Sequence, residues 1–188
     1  MPPKVKVTKE NIIKTALSLV REQGDAALNA RSIAAALGCS TQPIFSNFAT
    51  MDALYRAVID EAQKTLADYI RRETESGIYP SPYKASGMAY IRFAKEEKEL
   101  FKILYMRTRK DDEYTDDIAL YKQMTDFVQE NTGLEGENSS LFHLEMWVYV
   151  HGIATMFATN FLSLDWELVS KMITDAYQGL KMQYHVED

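Results

Sequence analysis

The stretch LNARSIAAALGCSTQPIFSNF, residues 28–48, decides the fold. It holds two short apolar patterns, Ile33-Ala34-Leu37 and Ile44-Phe45-Phe48, parted by the small residues Gly38-Cys39-Ser40. Asn29 and Ser40 stand where helix N-caps belong. Helices this short bury their apolar sides only if the turn between them is sharp and they approach closely. Gly38 tolerates positive φ without a Cβ penalty. Ala34, four residues earlier, leaves room for approach, and Ile44, six residues later, is an aliphatic anchor facing back. The spacing predicts a helix-turn-helix.

The second helix opens on Thr41, Gln42 and Pro43, which are polar or apolar but uncharged. Pro43 fits a first helical turn, where its missing N–H has no partner to lose. Taken alone, the three residues are an ordinary polar cap. In a helix-turn-helix, however, the start of the second helix meets base edges in the major groove. There Gln pairs bidentately with adenine, and Thr or a proline ring meets a thymine methyl. Helix entries at Asn29, Ser40 and Thr50 would present backbone N–H groups to phosphate. Lys4, Lys6 and Lys9 form a basic leader suited to a polyanion, and Arg31 lies in the first turn of the preceding helix.

Outward from this stretch the helical period continues. Ile13, Ala16, Leu17 and Val20 recur at helical spacing between a cap at Thr8 and a stop at Gly24. Thr50 caps a long helix with Leu54, Val58, Ala62, Leu66 and Tyr69 on one side, running to about Ser76-Gly77. The breaker cluster SGIYPSP follows. Beyond it, helical patterns cover roughly 84–95, 97–107, 115–132, 138–163 and 165–182. The expected architecture is all-α with about nine helices. It comprises a helix-turn-helix domain over 1–52, a connecting helix over 53–77 and a helical bundle over 78–188.

Charge is distributed unevenly over the 188 residues. The net charge is −6, yet a count along the chain gives residues 1–56 seven Lys/Arg against four Asp/Glu, about +3, and the remainder about −9. Such asymmetry suits a polyanion-binding end on an acidic remainder. The single cysteine, Cys39, excludes an internal disulfide and fits a cytoplasmic protein. The leader MPPKVKVTKE lacks an apolar signal core. Met146–Leu164 has no charged residue, but Glu145 and Asp165 flank it, so it reads as a buried helix rather than a membrane span. His143, His151 and His185 have no metal-ligand spacing, and no catalytic constellation or phosphate-binding glycine loop is visible. No enzyme activity, metal or cofactor is expected.

Residues 8–58 resemble the DNA-binding domain of the TetR family of repressors in the order helix, glycine break, SIAAALGCS, IF-xx-F and long helix. The family commonly has Tyr, His and Lys where this chain has Phe45, Asn47 and Met51, and those three usually contact phosphate. The resemblance implies a DNA surface that also includes Phe45, Ser46, Asn47 and Thr50, with Phe45 keeping the packing but lacking the hydroxyl. More faintly, AYIRFAKEEKELFKILYM and WVYVHGIA resemble the WHG class of TetR C-terminal domains, with Trp147, His151 and Gly152 supplying the three letters. That class implies dimerisation through the last two helices and a small-molecule cavity.

The C-terminal residues offer both. Leu141, Leu144, Val148, Thr155, Ala158 and Leu162 follow one face of the charge-free helix, beside Gly152. Val169, Met172, Ile173, Ala176 and Leu180 form a stripe on the last one. Two such helices from each of two chains would close a symmetric four-helix interface. Phe93, Phe101, Leu104, Tyr105, Met124, Phe127, Trp147 and His151 are the large groups available to line an effector cavity. The expectation is a homodimeric, ligand-responsive repressor on a pseudo-palindromic operator, with no membrane partner. The alternative is a helical ligand-binding or adaptor protein that keeps the helix-turn-helix as scaffold.

Overall fold

The computed structural model describes residues 7–108 and 118–186, with side chains for all of these except 118–121 and 123. The described residues form nine α-helices and one 3-10 turn joined by short connections, and contain no strand. The chain divides into two compact units: Met1–Ala67 with Glu97–Arg107, and Asp68–Glu96 with Thr108–Asp188. The breaker cluster ends a helix but does not divide the units.

The first unit contains α1 (Lys9–Gln23), a 3-10 turn (Asp25–Ala27), α2 (Ala30–Ala36), α3 (Gln42–Asn47), α4 (Met51–Glu75) through Ala67, and α6 (Lys98–Tyr105). Each expected cap but one is made. Thr8 Oγ1 accepts from Asn11 N at 3.2 Å, Asn29 Oδ1 from Ser32 N at 3.0 Å and Thr50 Oγ1 from Ala53 N at 3.1 Å. α1 buries Ile12, Ala16, Leu17 and Val20 against α2, α3 and α6. Ile12 therefore takes the place expected for Ile13, which is half-buried. Both isoleucines satisfy helical spacing, and only the packing of the other helices on α1 selects between them. Leu54, Val58, Ala62, Leu66 and Tyr69 of α4 are all buried, as their spacing predicts.

The second unit contains α5 (Pro82–Glu96), α7 (Ile118–Thr132), α8 (Gly136–Ala158) and α9 (Trp166–Gln183). α5 is its central helix, burying eight residues from Ala85 to Ala94 and packing on α7, α8 and α9. A helix apolar on most sides belongs inside. Two polar contacts tie α5 to α8: Tyr83 Oη lies 3.1 Å from His143 Nδ1, and Tyr90 Oη 2.9 Å from His151 Nδ1. The helical pattern expected to run to residue 163 stops at Ala158, so Leu162 lies beyond α8. Asn160 takes φ 55°, Phe161 N donates to Met156 O and Asn160 N to Phe157 O. That is a Schellman stop with asparagine in the left-handed position. Among the described residues no helix is long and apolar enough to cross a membrane.

Candidate nucleic-acid interface

The turn after α2 is a second Schellman stop. Gly38 takes φ 65°, its N–H donates to Ala35 O at 3.1 Å, and Cys39 N donates to Ala34 O at 3.0 Å. The glycine thus reverses the chain while satisfying two carbonyls at the end of α2. Ala34 and Ile33 are buried, and Ile44 of α3 is completely so. The small-glycine-aliphatic spacing places the two helices as a helix-turn-helix.

α3 begins one residue later than its sequence suggests. Thr41, not Ser40, is the N-cap; it is already in right-handed helical geometry, and its carbonyl accepts from Ile44 N and Phe45 N. No side-chain oxygen caps the helix. Pro43 sits in the first turn as expected. The inward face is Ile44 with Phe48, the C-cap residue; Lys9 Nζ lies 5.3 Å from the Phe48 ring centroid. The outward face is Gln42, Phe45 and Ser46, all exposed. Phe45 is 50% exposed, so it does not keep the packing expected of it. Thr41 and Pro43 are half-buried rather than fully outward.

Two α3 side chains are engaged with backbone. Ser46 Oγ donates to Gln42 O at 2.9 Å, and Asn47 Nδ2 donates to Pro43 O at 2.8 Å and Val7 O at 3.5 Å. The Asn47 bonds fasten the start of the chain beside α3 and turn its donors away from a phosphate. Arg31, Ser40, Thr50 and Lys9 are exposed on the same unit. Lys4 and Lys6 lie outside the described residues.

This arrangement recurs in solved structures. A TetR-like transcriptional regulator from Rhodococcus sp. RHA1 superposes with a TM-score of 0.71 at 13% identity, over 96% of this chain and 98% of that one. The fold is that of the TetR-like regulators. A TetR-family member from Streptomyces coelicolor A3 has a TM-score of 0.68 at 17% identity, over 89% and 96% of the two chains. The multidrug binding protein EbrR, solved with imidazole, has a TM-score of 0.58 at 15% identity, over 89% and 88%. No family model matches the sequence, and no curated protein matches it.

Within this TetR-like fold the residues expected to line an effector cavity fall in both units. Phe101, Leu104 and Tyr105 belong to α6 of the first, where Phe101 is fully buried and packs on Tyr105 with ring centroids 5.2 Å apart. In the second unit Phe93 is fully buried and Met124 Sδ accepts from Ser86 Oγ. Phe127 is half-buried, and Trp147 is 40% exposed. Trp147 stacks on His151 with ring centroids 4.9 Å apart, and Tyr90 Oη meets the edge of that imidazole at Nδ1. An open groove of about 750 Å³ lies between α7 and α8. Its lining includes Lys122, Asp126, Gln129, Ser140, Leu141 and Leu144, and none of the eight expected residues. Among the described residues no group of three His, Cys, Asp or Glu is placed to hold a metal ion.

The stripes expected for dimerisation divide by exposure. Leu141, Leu144, Val148 and Leu162 are exposed, and Thr155, Met172, Ala176 and Leu180 are half-buried. Ala158, Val169 and Ile173 are buried in their own chain and leave the set. A methyl group built on Gly152 would meet open space.

Tyr83 and Tyr90 stand outside the residues to which the sequence points, and His143 figures there only as lacking metal-ligand spacing. The seven-residue interval of the tyrosines and the eight-residue interval of the histidines carry the signal, two helical turns on each partner. Burial lowers His143 to about 4 and raises the Tyr83 phenol. An unfolded histidine titrates near 6.5. Between those values the unfolded chain binds a proton that the folded chain refuses, so stability falls as pH drops from about 6.5 towards 4. With allowance for solvent screening, wild type should lose about 2 kcal/mol more than His143→Gln between pH 7 and 4.5. Urea unfolding of both proteins at the two pH values measures this; equal losses would exclude it.

Proposed function

We propose that the protein is a sequence-specific DNA-binding transcriptional regulator, acting as a homodimer on a pseudo-palindromic operator and responding to a small molecule. The outward face of α3 carries the reading: Gln42 and Phe45 stand exposed while Ile44 and Phe48 anchor the helix from behind. The positive end of the chain and the exposed Lys9, Arg31, Ser40 and Thr50 suit a phosphate backbone. Lys4 and Lys6 join that set as a basic leader. With the Asn47 donors turned inward, the backbone grip falls to these groups and to helix-entry N–H groups.

A twofold dimer is supported by the apolar outer face of α8, which Leu141, Leu144 and Val148 leave in water. Two recognition helices would then enter major grooves about 34 Å apart, or a multiple of that distance. A ligand favouring another separation would weaken operator binding by a coupling free energy of about 1–3 kcal/mol. The multidrug binding protein among the structural neighbours favours such a ligand. In this reading the dimer represses by occupying the operator.

Selection from random duplexes, followed by titration of the enriched site, tests the reading. Gln42→Ala should cost roughly 1–3 kcal/mol on that site and relax preference at one base pair. An unchanged titration would remove Gln42 from the interface. Failure to enrich any duplex would favour the ligand-binding protein with an idle helix-turn-helix.

A further inference from the structure

We infer that Phe45 reads the C5-methyl group of a thymine, next to an adenine read by Gln42, so each operator half-site contains A·T pairs, one of whose methyl groups contributes to binding. This rests on the DNA-binding reading above and specifies its ligand. α3 contains no charged side chain, so it lacks the Arg or Lys fork that grips the O6 and N7 acceptors of guanine. Its outward groups are an amide, an aromatic ring and a hydroxyl. The hydroxyl of Ser46 already donates to Gln42 O and turns only lone pairs outward. The amide of Gln42 has the two-pronged complement of adenine, and the ring of Phe45 has no polar partner to offer a base or phosphate.

Position and surroundings agree. Gln42 and Phe45 are three residues apart and share a helix face. They are about 4.5 Å apart along the axis, and base pairs stack at about 3.4 Å. The two side chains therefore address the same or neighbouring pairs. Phe45 is 50% exposed, flanked by exposed Gln42 and Ser46. A lone ring among polar groups is no patch for a protein partner, but it matches a single methyl in a polar groove.

The test uses the full-length protein and the duplex enriched from random sequence. Each thymine is replaced in turn by deoxyuridine, which removes only the methyl. At one position per half-site the substitution should weaken binding about fourfold, the factor for exposing one carbon of apolar surface. Phe45→Ala and Phe45→Gln should both abolish the thymine-uracil difference there and leave it unchanged elsewhere. Their circular dichroism and melting should match wild type, because the ring is outside the core. The inference is overturned if no uracil substitution weakens wild-type binding, if the difference persists in both variants, or if the enriched half-site has no A·T pair. Enrichment of no duplex would instead overturn both this inference and the function it rests on.

Discussion

Val148→Arg is expected to leave the protein as a folded 21.5 kDa protomer that no longer holds its operator. Val148 is 57% exposed on α8, so a longer, charged side chain costs the single chain little. In the proposed interface the same position is buried twice, once from each copy. Enclosing an unpaired guanidinium costs several kcal/mol, and two such groups should weaken dimerisation by at least about 3 kcal/mol, or a hundredfold and more. A protomer carries one recognition helix and loses the second half-site contact altogether. Sedimentation velocity at micromolar concentration and a gel shift on the selected duplex measure both effects. A variant that still sediments as a dimer and shifts the duplex would move the interface away from this face.

Phe142→Ala should lower the stability of the second unit by about 3–5 kcal/mol. Phe142 is fully buried on α8, between Tyr177 and Tyr184 of α9 and its C-cap. Its ring meets theirs edge-on, with centroids 5.4 and 5.7 Å apart and interplanar angles of 81° and 60°. Truncation removes both aromatic contacts and leaves a cavity that two helices cannot close without moving. Chemical denaturation followed by far-ultraviolet circular dichroism gives the loss. A change below about 1 kcal/mol would mean that this site collapses freely.

What was legible in the sequence is what depends on near neighbours. Thr8, Asn29 and Thr50 cap helices because the oxygen and the N–H it accepts from lie three residues apart. Gly38 ends α2 for a similarly local reason, the left-handed φ of a Schellman turn. α4 was readable because its apolar stripe stands out from a polar background. The start of α3 differs by one residue from its sequence signal because its cap rests on the carbonyl of Thr41 rather than on any side chain.

α8 and α9 were harder to read. The middle of α8 is apolar on nearly every side, so spacing cannot say which face meets its own bundle. Ala158 is therefore on the buried side of α8 rather than the exposed one; Val169 and Ile173 lie on the apolar stripe of α9, which their own bundle buries. The assignment of α6 to the first unit could not be read from spacing at all. It arises from packing on α1, across more than seventy residues of chain. For the same reason only size and chemistry group Phe101, Leu104 and Tyr105 with Phe93 and Trp147, and the fold separates them.

The brevity of α3 has an evolutionary side. Its six residues and the C-cap Phe48 set two buried hydrophobic anchors, Ile44 and Phe48, behind an exposed row of Gln42, Phe45 and Ser46. Substitutions at 42, 45 and 46 are therefore nearly neutral for folding, and a lineage can drift from one target sequence to another without first acquiring compensating mutations. Ile44 and Phe48 have no such liberty, and paralogues with divergent targets would keep them while their outward neighbours vary.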